Sequence, residues 1–268
     1  MNRTTCMRIY RRFADLEGVQ IHYREAGAGP CLVLIHEMPL SSEVFIPLMP
    51  HLREHLHLVA PDLPGYGDSD PLDGRMTMPQ YANLLLRMLA AIGIETFSVL
   101  GVHGGASVAV EMAHQAPCRV RSLILSGVPL FTEEERIRLH RNLKPFRHED
   151  DGRHFQEWWQ YFENKWDPST PKRIIHRAVM NVMKAGPHYD RGYREAFDYD
   201  PEPTLRRCRQ PILLLVAKED PLVGKNELIL GMHPHAREVI VDVPQHLSQA
   251  APEETARHIR EFLADAAR

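Results

Sequence analysis

The chain has 268 residues, 44% hydrophobic and 25% charged, a composition that fits one large soluble globular domain and excludes disorder, collagen-like repeats and a disulfide scaffold. Lys and Arg total 32 against 35 Asp and Glu, a net charge of −3. That is too even to hold a polyanion by charge alone, so no nucleic-acid partner is expected.

The first 13 residues, Met1 to Phe13, are basic, but no apolar stretch succeeds them, so no secretory signal is read. The apolar runs are strand-sized and far below a membrane span. Cys6, Cys31, Cys118 and Cys208 lie far apart with no C-x-x-C pairing and read as reduced thiols in a cytoplasmic protein. Val19 to Arg24 alternates apolar and polar residues and suits an antiparallel edge hairpin. Six short runs rich in Val, Ile and Leu then read as strands buried on both faces: Cys31 to Ile35, Leu56 to Ala60, Phe97 to Leu100, Leu123 to Leu125, Ile212 to Val216 and Val239 to Val243. Helical patterns separate them. Tyr81, Leu84, Leu85, Met88, Leu89 and Ile92 form one apolar stripe closed by Gly93, and a last helix opens at Pro252 and buries Ile259, Phe262 and Leu263. Strand–helix alternation at these spacings implies an α/β domain with a right-handed, mostly parallel sheet flanked by helices.

One stretch breaks the alternation. Residues 132–203 carry helical patterns with no strand run, and they hold all three tryptophans, Trp158, Trp159 and Trp166. This segment reads as a helical cap inserted between two strands, dividing a core domain of residues 1–131 and 204–268. Trp158 and Trp159 are candidates for substrate contact, although aromatics at helical spacing usually pack as core.

Between a strand and a small-residue helix lies Gly101-Val102-His103-Gly104-Gly105. Glycines at both ends of such a pentapeptide clear the backbone for a sharp turn that presents the central residue, the geometry of a nucleophile elbow. Four further motifs flank it in the chain. They are Leu34-Ile35-His36-Glu37-Met38-Pro39, Pro61-Asp62-Leu63-Pro64-Gly65-Tyr66-Gly67-Asp68-Ser69, Val216-Ala217-Lys218-Glu219-Asp220, and Gln245-His246 ahead of Pro252-Glu253. Together they resemble the α/β-hydrolase fold family over nearly all of Ile21 to Ala264. The resemblance implies an oxyanion loop after the third strand and an acid, Asp220, behind a catalytic histidine, His246. It also implies an oxyanion hole from the backbone N–H groups of Met38 and Gly104.

Two positions depart from that family's pattern. His103 stands where it places Ser, Cys or Asp, and Glu37 stands where it places a loop glycine. Ser107 and Ser126 lie off the elbow and read as packing or capping. His103 has three chemical options: attack on an acyl group, general-base activation of water, or an electrostatic role beside His246. At hydrogen-bonding range the two imidazoles would titrate as a coupled pair, and an inward-pointing Glu37 would favour the charged form. His36 and Glu37 are further candidates for substrate contact.

Three functions are compatible with these residues. The first is a cofactor-free hydrolase of a small, partly apolar ester, lactone, amide or activated C–C bond, using His103, His246 and Asp220. The second is a cofactor-independent lyase, cyclase, decarboxylase or oxygenase with the His246–Asp220 dyad as base. The third is an inactive small-molecule-binding protein. A metal set of His36, His103 and His246 with Asp220 or Glu37 is suitable in donor type but has no supporting spacing, so no metal is expected. Oligomeric state is not legible.

Overall fold

The computed structural model describes residues 8–266, so Cys6 and the start of the basic N-terminal segment lie outside the described residues. An eight-stranded sheet runs in the order β1-β2-β4-β3-β5-β6-β7-β8. Its strands are β1 (Tyr10–Leu16), β2 (Val19–Ala26), β3 (Cys31–Ile35), β4 (His57–Pro61), β5 (Phe97–Val102), β6 (Val120–Ser126), β7 (Ile212–Ala217) and β8 (Arg237–Val241). β1 and β2 form an antiparallel hairpin that joins the sheet by antiparallel pairing of β2 with β4, and every later pairing is parallel.

The helices of the core are α1 (Met49–Leu52), α2 (Met78–Ala91), α3 (Gly104–Gln115), α8 (Glu202–Leu205), α9 (Asn226–Met232), α10 (Leu247–Ala250) and α11 (Pro252–Ala266). Between β6 and β7 stand α4 (Glu133–Arg141), α5 (Arg153–Lys165), α6 (Lys172–Ala185) and α7 (Arg191–Asp198). α2 begins with a capping box: the Thr77 hydroxyl accepts from Gln80 N–H and the Gln80 side chain accepts from Thr77 N–H. α4 repeats the device with Thr132 and Glu135, and its acidic first turn faces the positive end of the helix dipole.

Two hydrophobic clusters fill the space on the two sides of the sheet. One packs α2 and α3 through Leu85, Leu89, Val108 and Met112. The other packs α1 and α11 through Leu52, Ile259 and Phe262, and continues into the inserted helices through Trp158, Phe162 and Val182. The runs at β3 to β7 are buried on both faces as their composition implies, whereas β8 is the sheet's edge and leaves Arg237, Glu238 and Ile240 exposed. The expectation of a doubly buried β8 therefore fails, because nothing pairs with its outer side among the described residues. β1 carries polar residues at Arg11 and Arg12 and escapes detection as an apolar run.

Because β3 and β5 to β8 all run the same way, their carboxyl ends converge. The turns after β3, β5, β6, β7 and β8 meet at one edge, the place where open α/β sheets bind ligands.

Candidate active site

The turn after β5 is the sharpest feature of that edge. His103 has φ 47° and ψ −114°, a conformation that costs a non-glycine residue on the order of 1–3 kcal/mol and persists only when its surroundings impose it. The imposition is visible. His103 N–H donates to Ser126 O of β6 at 2.8 Å, and Ala106 N–H donates back to His103 O at 2.8 Å. α3 also sits so close to β3 that a Cβ on Gly105 would lie 2.5 Å from Ile35 O.

This backbone aims the imidazole across the sheet edge. His103 Nε2 lies 2.8 Å from Asp220 Oδ2, while the other carboxylate oxygen of Asp220 accepts from Leu222 N–H at 2.8 Å. Asp220 is buried. The pairing is possible because residue 127 is glycine: with φ +67°, a Cβ there would lie 2.5 Å from His103 Cδ2 and 2.7 Å from Nε2. Sequence reasoning does not single out Gly127, whose only signal is a glycine directly after the β6 run.

The family pattern places Asp220 behind His246, and here the structure differs. An imidazole at the elbow is longer than a serine and reaches the carboxylate itself. His246 opens α10 with φ 59°, packs edge-on against Trp166 with ring centroids 4.3 Å apart, and leaves Nε2 buried without a partner among the described residues. The two imidazoles are not hydrogen-bonded to each other, but they feel each other's charge.

The electrostatic consequences diverge. Burial works against the charged form of His103, but the Asp220 carboxylate and, less strongly, Glu37 outweigh it, and the His103 pKa is raised. His246 is pushed down to about 4, first by burial and then by the charge on His103, with Asp220 opposing from a distance. Burial also acts on Asp220, yet its contact with His103 holds the carboxyl below its ordinary range. Glu37 lies in the same cavity with Oε2 buried and unpartnered, and burial raises its carboxyl despite the pull of His103.

His103, His246, Asp220, Glu37, Met38 and Gly104 all line one cavity of about 400 Å³. Met38 and Gly104 are neighbours, since a Cβ on Gly104 would sit 2.6 Å from Met38 Sδ. Three other expected substrate contacts fall elsewhere. His36 is fully buried and holds the loop: its Nδ1 bonds Glu37 O at 3.0 Å and its Nε2 accepts from Leu63 N–H at 2.9 Å. With both nitrogens occupied it cannot serve in a metal set with His103 and His246. Trp158 is 1% exposed and packs against Phe162 and Tyr189, so it is core of the inserted helices, and Trp159 is partly buried against the same cluster. The aromatic residues that do line the cavity include Phe131, Phe162, Trp166, Tyr193 and Phe197, together with Lys165. Sequence reasoning misses them because helical spacing does not say which aromatic of a cluster turns inward.

Among the described residues, His22, Asp62 and Asp68 have ligand atoms at metal-binding separations. Those atoms already have work: Asp62 accepts from His22 Nδ1 and from the N–H groups of Ser42 and Asp68, and Asp68 pairs with Lys184. The cluster ties the loop after β4 to β2.

The model of the alpha/beta hydrolase fold family matches residues 30–250, and the chain belongs to that family. It is 23% identical over 251 residues to the (E)-2-((N-methylformamido)methylene)succinate hydrolase of Acinetobacter baylyi, covering 90% of this chain and 93% of that protein. To an uncharacterized hydrolase of Saccharomyces cerevisiae it is 28% identical over 162 residues, 59% of this chain. The chain spans about half the length of the yeast relative (51%), and 37% of a mycobacterial relative. Among solved structures, E-2-(acetamidomethylene)succinate hydrolase superposes with a TM-score of 0.78 at 21% identity, covering 96% of this chain and all of that one (100%). A lipase-like structure from Acinetobacter baumannii gives 0.83 at 19% identity, covering 99% and 94%. At these identities the solved structures speak for the fold.

Proposed function

We propose that the protein hydrolyses a small, partly apolar ester, lactone, amide or activated C–C bond without forming an acyl-enzyme. The observation that carries this reading is the division between the two histidines: Nε2 of His103 is committed to Asp220 at 2.8 Å, while His246 lines the same cavity with no carboxylate bonded to its ring among the described residues. Environments that push two titratable groups apart assign them opposite roles. His246, neutral above about pH 4, takes a proton from water as that water attacks the substrate carbonyl. His103, held as imidazolium by Asp220, faces the developing negative charge and gives the Nδ1 proton to the leaving group. Protons then redistribute through solvent to restore the starting state.

The oxyanion is assigned to the backbone N–H groups of Met38 and Gly104. Gly104 is the first residue of α3, where helix geometry leaves the N–H without an intrahelical acceptor and the dipole favours negative charge. Such a hole depends on backbone position, so a histidine at the elbow does not remove it. Residues 132–203 act as a cap whose aromatic side chains exclude water from the cavity. The nearly full-length relative from Acinetobacter baylyi is a hydrolase named for a succinate derivative, which supports hydrolysis as the reaction class.

The test is a single turnover in ¹⁸O-labelled water on any ester or amide the protein accepts, with mass spectrometry of the protein during turnover. The expected result is label in the acid product and no mass increase on the chain. An acyl adduct on His103 would replace the water-attack mechanism with a covalent one. Turnover without label would move the protein to the lyase class.

A further inference from the structure

The charged residues that line the cavity come from two parts of the chain. Glu37 and Asp220 come from turns of the core, whereas Lys165 and Arg138 come from α5 and α4 of the inserted helices, where Glu135 of α4 is the one lining carboxylate among the described residues and is paired with Lys225. Lys165 is exceptional among the four lysines of the insertion. Lys144, Lys172 and Lys184 each pair with a carboxylate, on Glu157, Glu163 and Asp68. Lys165 has no carboxylate partner among the described residues: its Nζ lies 3.3 Å from Tyr161 Oη and stands over the rings of Tyr161 and Tyr193 at 5.3 and 5.9 Å. Arg138 makes no ion pair or side-chain hydrogen bond among the described residues, and its neighbour Glu135 is taken by Lys225 at 2.8 Å. Lys165 is also close enough for its charge to be felt at His103.

We infer that the substrate is an organic anion whose carboxylate is held by Lys165, with Arg138 as a second cationic contact at the cap. This rests on the hydrolase reading and names the substrate class for it. The two tyrosine faces hold the ammonium in place without neutralising it, leaving its charge to be met by the ligand. On the floor the charge of His103 is already met by Asp220, so the cationic groups left for a carboxylate are those on the cap side. That polarity orients the molecule with its anionic end outward and its reacting carbonyl over Met38 and Gly104. Lys165 and Arg138 are specificity-determining residues in this scheme and take no part in the proton transfers.

Two measurements separate this inference from the reading beneath it. The first is binding: thermal shift and calorimetry with short aliphatic mono- and dicarboxylates, against their neutral methyl esters. Wild type is expected to bind the acids in preference to the esters, more weakly as salt is raised. Lys165→Gln is expected to lose about 10- to 100-fold in affinity for the acids, with partial recovery in Lys165→Arg. The second is kinetic: the ratio of kcat/KM for an aryl ester bearing a free carboxylate to that for its uncharged isostere, which is expected to fall in Lys165→Gln and in Arg138→Gln. Acids that bind wild type and Lys165→Gln equally, or bind neither, overturn the inference. Acids that bind through Lys165 while neither ester is turned over uphold the anion site and count against the hydrolase reading alone.

Discussion

Two turns of this molecule present a histidine at the same edge of the sheet, and both do so from a left-handed backbone, φ 47° at His103 and φ 59° at His246. What surrounds them differs. The turn after β5 is braced by Ser126 O and by α3, and it delivers its imidazole onto a buried carboxylate. The loop after β8 delivers its imidazole against the indole of Trp166 and leaves a ring nitrogen without a partner. One histidine is raised in pKa and the other pushed down to about 4. Protonation state therefore tracks the partner that each turn makes reachable, and not the residue type or its place in a motif.

The comparison breaks most visibly if either ring is removed. General acid–base catalysis by a positioned side chain contributes roughly 10²- to 10⁴-fold, so His103→Ala and His246→Ala are each expected to lower kcat by that range. If the two act in one step, as proposed, the double variant should lose far less than the product of the two single losses. Retained turnover in His246→Ala would assign all the chemistry to the His103–Asp220 pair.

The next largest effect tests why His103 can reach Asp220. Gly127→Ala places a methyl within 2.5 Å of the His103 ring and is expected to cost about 1–3 kcal/mol in stability, with activity falling as the ring is displaced. In a His103→Ala background that ring is absent, so the cost of Gly127→Ala should shrink to the backbone strain and the 3.2 Å approach to Asp220 Oδ1. Equal costs in the two backgrounds, measured by denaturant unfolding, would mean that Gly127 serves only its own turn.

Much of this is legible in the chain. The apolar runs mark β3 and β7 almost to the residue, and the Gly-x-His-Gly-Gly pattern places the elbow, because strand burial and close backbone approach constrain residue type locally. His103, Asp220 and His246 stand out in the sequence, and the structure brings all three to one cavity. Their pairing is not legible: whether Asp220 meets His246 or His103 depends on the length of one side chain and on a missing Cβ at residue 127. The inward faces of the inserted helices are likewise hidden. Trp158 and Trp166 are equally aromatic, but only the second lines the cavity, a matter of how the helices pack rather than of composition.

A finer test alters the charge on one side only. Asp220→Asn removes the group that raises His103, so the His103 pKa falls. If the imidazolium is the working form, activity in wild type declines as pH rises through the His103 pKa, and in Asp220→Asn that decline begins at lower pH. A rate that climbs with pH through the same limb would instead make neutral His103 the base. The pH dependence of kcat, supported by imidazole NMR titration, decides the sign.

The smallest expected effect is on stability, and the two histidines should contribute it on opposite sides of neutrality. His246 has a folded pKa of about 4, below its ordinary value near 6.5. Its stabilising contribution is therefore complete above about pH 6.5 and is lost as pH falls toward 4, because the unfolded chain binds the proton first. His103 is raised, so its contribution is complete below about pH 6.5 and is lost as pH rises through the folded pKa. Replacing His246 by Phe, which cannot take a proton, should flatten the acid limb of Tm against pH and leave the alkaline limb in place. The Tm difference from wild type is expected to open on the acid side as pH falls from about 6.5 toward 4. A wild-type-minus-variant difference that stays constant from pH 7 to pH 4 would show that His246 takes up its proton as freely when folded as when unfolded. The contrast between the two turns would then rest on His103 alone.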